Sequence, residues 1–253
     1  MKLYCCQHDI VWENRAANFH RVETLLDTVE VERGSLVLLP EMFGSGFSLN
    51  VPLIAEDQDG DTRSFLSKVA RRKGVFLMGG LVSLGDQNRG RNEAVVFSPT
   101  GQELCRYCKL QPFTPGGESA HYEAGTETVV FEWGPVLVAP FICYDLRFPE
   151  RQRVAAKRRP HLMTFIANWP DARLSHWVTL LQARAIENQC YVAGVNRIGV
   201  DPQLNYSGRS LIVNPMGEVI ADAADRECVI GADLDLESVR QYREKMPFLD
   251  DAM

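Results

Sequence analysis

Short apolar runs bounded by turn residues alternate along this chain with stretches whose apolar positions recur every three or four residues. The first kind reads as buried strands and the second as amphipathic helices. Met1–His8, Leu36–Leu39, Val75–Met78 and Val136–Ile142 belong to the first kind. Val22, Leu25, Leu26 and Val29 mark a helical face that Gly34 can end; Phe65, Leu66, Val69 and Ala70 mark a second. Asp61 and Gly74 sit where the second helix wants its N-cap and C-cap. Ala94–Phe97 and Glu103–Tyr107 flank the turn signal Pro99-Thr100-Gly101 and read as a strand pair. Beyond the Val136 run, residues 149–158 look helical and His161–Ala167 extended. A helix over 175–188 presents Trp177, Leu180, Leu181 and Ala185 on one face. Strands follow near 190–195, 209–213, 218–221 and 227–233, with a turn at Asn214–Gly217, and a last helix begins near Leu236.

Single-helix crossovers mixed with hairpins predict an α/β fold in which two sheets pack face to face with helices outside, a four-layer α-β-β-α sandwich. No linker, repeat or low-complexity segment divides the chain, so residues 1–253 are expected to form a single domain. The composition, 45% hydrophobic and 24% charged, supplies apolar material for a sizeable core. A formal net charge of -6 argues against a nucleic-acid or anionic-membrane partner. The polar N-terminus does not read as a signal peptide, and no apolar stretch approaches a bilayer span. Seven scattered cysteines then fit reduced thiols in a cytoplasmic protein. Cys105 and Cys108 have metal-pair spacing, but no second pair follows, and coincidence is the default.

The candidate chemistry stands at strand ends, where ligand sites of α/β sheets gather. Cys143 ends the Val136 run at a sharp turn into a helix, where backbone N–H groups can stabilise negative charge. A lone cysteine is more often a small core residue. Here Glu41 follows the Leu36 strand and Lys109 ends the Glu103 strand. Each has a bland alternative: helix cap, surface lysine, core thiol.

Glu41, Lys109 and Cys143, in this order and context, resemble the Glu-Lys-Cys triad of the nitrilase superfamily of carbon–nitrogen hydrolases. The resemblance spans nearly the whole chain, through Asp9–Asn14, Leu39–Ser48, Ile142–Glu150, Asn168–Arg173, His176-Trp177, Ala183–Gln189 and Asn196–Gly199. Met42-Phe43 and the Trp169–Trp177 segment are closest to the omega-amidase branch, which hydrolyses the terminal amide of 2-oxo-acid amides. The resemblance implies the same α-β-β-α sandwich, a homodimer and no metal or organic cofactor. It also implies a second carboxylate, Glu118, in the glycine-containing loop Pro115–Tyr122, orienting the lysine or the substrate.

An amide is a poor electrophile, so a thiol attacking it needs a base. Glu41 is expected to take the Cys143 proton and pass it to departing ammonia. Lys109 and the N–H of Tyr144 would stabilise the oxyanion, and water activated by Glu41 would release the thioester. Phe43 and Tyr144 are expected as apolar walls, and Trp169 and Arg173 at the pocket mouth, Arg173 gripping a substrate carboxylate or else pairing with Asp171. Arg147–Glu150 and Arg184–Glu187 read as structural ion pairs. The alternatives are another small amide, an N-carbamoyl compound or a nitrile, or a catalytically silent scaffold. A cysteine peptidase is disfavoured, because no histidine is placed beside Cys143. The apolar tail Met246–Leu249 is expected to reach across a dimer.

Overall fold

The computed structural model describes residues 1–251. In chain order the elements are β1 (Lys2–Gln7), α1 (Arg15–Asp27), β2 (Leu36–Leu38), α2 (Val51–Ile54), α3 (Asp61–Lys73), β3 (Phe76–Leu84), β4 (Gly90–Phe97) and β5 (Glu103–Cys108). Then come α4 (Glu118–His121), β6 (Tyr122–Glu123), β7 (Phe131–Trp133), β8 (Val136–Ile142), α5 (Pro149–Ala156), β9 (Leu162–Ala167), α6 (Leu174–Asn188) and β10 (Tyr191–Asn196). The last are β11 (Ile198–Val200), β12 (Asn205–Ser207), β13 (Leu211–Val213), β14 (Val219–Asp222), β15 (Cys228–Asp233), α7 (Leu236–Lys245) and α8 (Phe248–Asp251).

Two mixed sheets form. One runs β15-β1-β2-β3-β4-β5, with β6 also on β4; the other runs β14-β13-β10-β9-β8-β7. Side chains of a strand alternate between its faces, and here the alternation sorts residues into two cores. Leu3, Cys5, Leu36, Leu38, Met78, Ala94 and Val96 point into the core shared with the second sheet. Their neighbours Tyr4, Cys6, Val37, Leu39, Leu77, Val95 and Phe97 point outward onto Val22 and Leu26 of α1 and Leu66 and Val69 of α3. On the far side Trp177 and Leu181 of α6 and Ala155 of α5 join the core of the second sheet. The result is the expected α-β-β-α sandwich. Each fully buried aliphatic side chain contributes about 1.5–3 kcal/mol, so a one-residue register slip in a strand with two buried faces is strongly disfavoured.

Several boundaries differ from expectation. Helix α1 stops at Asp27 with Thr28 as its cap, six residues before Gly34, where the Thr28 N–H and hydroxyl both donate to the Leu25 carbonyl. The cap of α3 is Gly60, and Asp61 is its first helical residue, while Gly74 closes the helix in the left-handed region (φ 67°) as expected. Strand β3 continues through Gly79-Gly80 to Leu84, because β4 pairs with it along that length, Leu84 opposite Gly90. Cys105 and Cys108 stand three residues apart on β5, which sends them to opposite faces of the strand. The tail packs on its own chain: Leu249 is buried, and Gln189 donates to the Met246 carbonyl. Met246 stays exposed, so only part of the tail's apolar surface is covered by its own chain.

The loop after β2 lies directly on β3. Gly80 N–H donates to the Pro40 carbonyl and Phe43 N–H to the Gly80 carbonyl. A Cβ on Gly80 would stand 2.4 Å from the Met42 nitrogen and 2.6 Å from the Glu41 Cα. Only glycine allows this approach. Gly80→Ala should therefore lower stability by about 1–3 kcal/mol, read as a lower urea midpoint at unchanged m-value; an unchanged midpoint would refute the packing account.

Candidate active site

Four strand ends converge between the sheets. Glu41 follows β2, Lys109 follows β5, Cys143 follows β8 and Asn168 follows β9. The first two come from one sheet and the last two from the other, so the site exists only because the sheets pack.

Lys109 is buried, 1% exposed, yet charged groups surround it. Its Nζ donates to Glu41 Oε1 at 2.9 Å and to Glu118 Oε2 at 2.8 Å and Oε1 at 3.1 Å. Burial alone would lower its pKa, but Glu118 and Glu41 outweigh burial and hold it well above the usual lysine value. Two carboxylates around one ammonium leave an extra negative charge, which neutral donors absorb. Asn92 Nδ2 on β4 bridges Glu41 Oε1 (2.7 Å) and Glu118 Oε1 (2.8 Å). The Asn168 N–H donates to Glu41 Oε2 at 2.8 Å, and its side-chain amide holds the Glu41 carbonyl at 2.6 Å. Phe113 N–H donates to Glu118 Oε2, closing the loop before α4 on itself.

Cys143 stands at the mouth of this cluster, half-buried, with φ at 45°. A non-glycine residue held in the left-handed region marks a strained, over-determined position. Its Sγ lies 4.0 Å from the Asn168 carbonyl. Burial first, then the neighbouring Glu41, pushes the thiol pKa well up, with Lys109 opposing. The thiol is therefore protonated at neutral pH and needs a base before it can attack. Tyr144 is the second residue of the 3₁₀ turn Cys143–Arg147, so its N–H is among those such a turn leaves without an internal partner.

Asp145 fixes the turn. It is buried and accepts from Tyr107 Oη (2.7 Å), Ile142 N–H (3.0 Å) and Gln111 N–H (2.9 Å). It thereby joins the segment after Lys109 to the Cys143 turn. Burial raises its carboxyl to about 6 against those three donors. Arg184 clamps the same turn from α6, donating to the Leu146 carbonyl at 2.7 Å and pairing with Glu187 at 3.0 Å.

Cys143 opens into a cavity of about 180 Å³. Trp12, Phe47, Phe113, Tyr144, Trp169 and Tyr206 form its aromatic wall, and Arg147 and Arg173 also line it. Of the expected wall residues, Tyr144, Trp169 and Arg173 lie here. Phe43 does not: it is fully buried beneath β3, with ring centroids 5.9 Å from both Phe19 and Phe65. At Gly79 a Cβ would stand 2.9 Å from the Phe43 ring, so the glycine leaves the room that the ring fills. Arg173 does not pair with Asp171; its guanidinium lies over the Phe113 ring at 5.4 Å. Arg147 does not pair with Glu150. It stacks over Trp169 at 4.7 Å and meets His176 Nδ1 at 3.2 Å.

Sequence reasoning missed Asn92, Asn168, Asp145 and the tip of the β11–β12 hairpin, Asp201–Leu204, which borders the cavity. Asp201-Pro202 carried a turn signal that could have marked the hairpin. Asn168 opens one of the segments that carry the family resemblance but was given no role there, and nothing local marked Asn92.

Comparison with known proteins follows this geometry. The carbon-nitrogen hydrolase family model matches residues 2–244. The omega-amidase YafV of Yersinia enterocolitica is 38% identical, covering 99% of this chain and 96% of its own. The 2-oxoglutaramate amidase of Bacillus subtilis (strain 168) is 34% identical, covering 98% and 95%. A CN-hydrolase superfamily protein from Xanthomonas campestris, solved with an arsenic adduct in its active site, superposes with a TM-score of 0.90 at 34% identity, covering 99% of this chain and 96% of that one.

The electrostatics generate a prediction. Glu41→Gln removes the negative neighbour that raises the thiol and leaves Lys109, which lowers it. The pH midpoint for iodoacetamide alkylation of Cys143 should therefore move down in the variant. An unmoved or higher midpoint would contradict the charge assignment.

Proposed function

The chain belongs to the carbon–nitrogen hydrolase family, and we propose that its reaction is removal of the terminal carboxamide of a small 2-oxo acid, releasing carboxylate and ammonia. The carrying observation is the pocket itself: a thiol beside a buried Glu–Lys–Glu cluster at one end, aromatic walls, and a cationic rim at the other. The relatives named for omega-amidase and 2-oxoglutaramate amidase activity support the same substrate class.

The chemistry runs through this chain's own residues. Glu41 takes the Cys143 proton as Sγ attacks the amide carbon. Lys109 and the Tyr144 N–H stabilise the oxyanion, an effect worth about 2.7–4 kcal/mol per donor in comparable sites. Glu41 returns the proton to the leaving nitrogen, ammonia departs, and a thioester remains. Water then attacks the thioester, giving its proton to Glu41, and the thiol is restored. Glu118 holds Lys109 and does not touch the substrate; the three groups that donate to it, Lys109, Asn92 and the Phe113 N–H, are all inside the protein. Arg173, without a carboxylate partner, receives the acid end of the substrate.

The setting follows the same reading. All seven cysteines are free, which suits a reducing cytoplasm. Among the described residues no helix is long and apolar enough to cross a membrane. A homodimer accords with the exposed Ile186 of α6 beside the turn that carries exposed Met216.

Purified protein should release ammonia from 2-oxoglutaramate, and Cys143→Ala should abolish release without changing stability to urea by more than about 1 kcal/mol. Folded wild-type protein that releases none would reject the 2-oxo-acid assignment and direct attention to N-carbamoyl and nitrile substrates.

A further inference from the structure

Arginines that are partly or fully removed from water elsewhere in this chain end on oxygen. Arg106 pairs with Glu93 and Glu103, Arg209 with Asp222, and Arg243 donates to the carbonyls of Arg159, Pro160 and Gln189. Two half-buried arginines break that rule, and both line the cavity above Cys143. Arg173 lies over Phe113, and Arg147 lies over Trp169 with one nitrogen at His176 Nδ1. Among the described residues neither makes a salt bridge. Arginine has no lone pair to offer, so His176 Nδ1 is the acceptor in that contact.

The one acidic residue in the same lining, Asp201, is already committed. Its Oδ1 accepts from Gln203 and Leu204 N–H, both at 2.8 Å, and its Oδ2 from Tyr206 Oη at 2.6 Å. Burial and then the nearby charge of Arg173 lower the pKa of Arg147, so the two cations feel each other with no anion between them. Trp169 fixes the pair. It supports Arg147 with its face and donates Nε1–H to the Arg173 carbonyl at 2.7 Å, and its own N–H is held by Asn196 Oδ1 at 2.7 Å. Two half-buried, positioned guanidiniums without a counter-charge form a site suited to an anion.

Resting on the 2-oxo-acid reading of the pocket, we propose that Arg147 is a specificity-determining residue: with Arg173 it forms a two-cation clamp that takes the substrate's carboxylate and turns away amides bearing an ammonium beside it. A 2-oxo acid presents a carboxylate oxygen and a ketone oxygen side by side, and a guanidinium fork can donate to both. An amino-acid amide presents an ammonium at that carbon, against two cations and an Asp201 whose oxygens are taken. Rejection by an introduced repulsion is a recognised source of specificity.

The test compares wild type, Arg147→Met and Arg147→Lys on 2-oxoglutaramate, glutamine and the neutral amide valeramide. Calorimetric titration with 2-oxoglutarate, a dicarboxylate that requires no turnover, accompanies it. In Arg147→Met the KM for 2-oxoglutaramate should rise about 30–100-fold with most of the loss in KM rather than kcat. The 2-oxo-over-2-amino preference and the acidic-over-neutral preference should each fall at least about tenfold, and 2-oxoglutarate binding should weaken in step. Lysine, which keeps the charge but not the fork, should recover part of the binding. Equal losses on acidic and neutral amides, or unchanged KM and unchanged 2-oxoglutarate affinity, would overturn the assignment. A wild type that prefers neutral amides would instead reject the 2-oxo-acid reading, and the titration would still decide Arg147.

Discussion

A buried ammonium held between two buried carboxylates organises this protein. Lys109 could not be charged inside the sandwich alone, since burial disfavours the ion. Glu41 and Glu118 make the charge stable, and Asn92, Asn168 and the Phe113 amide absorb the remaining negative charge. Removing a single partner would strand a buried charge, at a cost of roughly 3–5 kcal/mol. The cluster also joins the layers: Glu41, Lys109 and Asn92 belong to one sheet, while Asn168 belongs to the other. Burial pushes the Cys143 thiol up, and Glu41 of the same cluster adds to that by repelling a thiolate, with Lys109 opposing. Stability and reactivity therefore rest on one set of contacts.

Around that cluster the fold spends strain where position matters. Met42 and Cys143 both adopt positive φ without being glycine. Each is over-determined by its surroundings: Met42 by the contact of its loop with Gly80, and Cys143 by Asp145, whose carboxylate ties the turn to Ile142, Gln111 and Tyr107. Such tethering fixes where the Cys143 thiol stands at the cavity. The cavity above is mostly aromatic, and its cations are supported by ring faces. Rings leave the N–H donors free for a ligand, which a carboxylate partner would not.

Much of the architecture was legible from hydrophobic periodicity, because period-2 runs and helical stripes are local consequences of burial. The strand ends at Glu41, Lys109 and Cys143 were legible for the same reason. Boundaries were less so. The end of α1 and the extension of β3 through Gly79-Gly80 depend on what packs or pairs alongside, which one segment does not record. Arg147 was read as a partner of Glu150 from spacing alone; the fold instead gave it Trp169 and His176, distant in sequence. Phe43 was read as an apolar wall, but the chain turns at Met42, whose φ is positive, and the ring beyond the turn packs with Phe19 and Phe65 in the core.

The sequence by itself determined which segments become strands and helices, and placed the acid, the lysine and the thiol at strand ends, because side-chain period and turn chemistry are written residue by residue. Tertiary structure alone decided which of those ends meet. Asn92 and Asn168 became donors to Glu41, Asp145 became a tether and Arg147 a lining residue only when two sheets closed on each other, since their partners lie between 34 and 127 residues away or, for Arg147, on two other segments of chain.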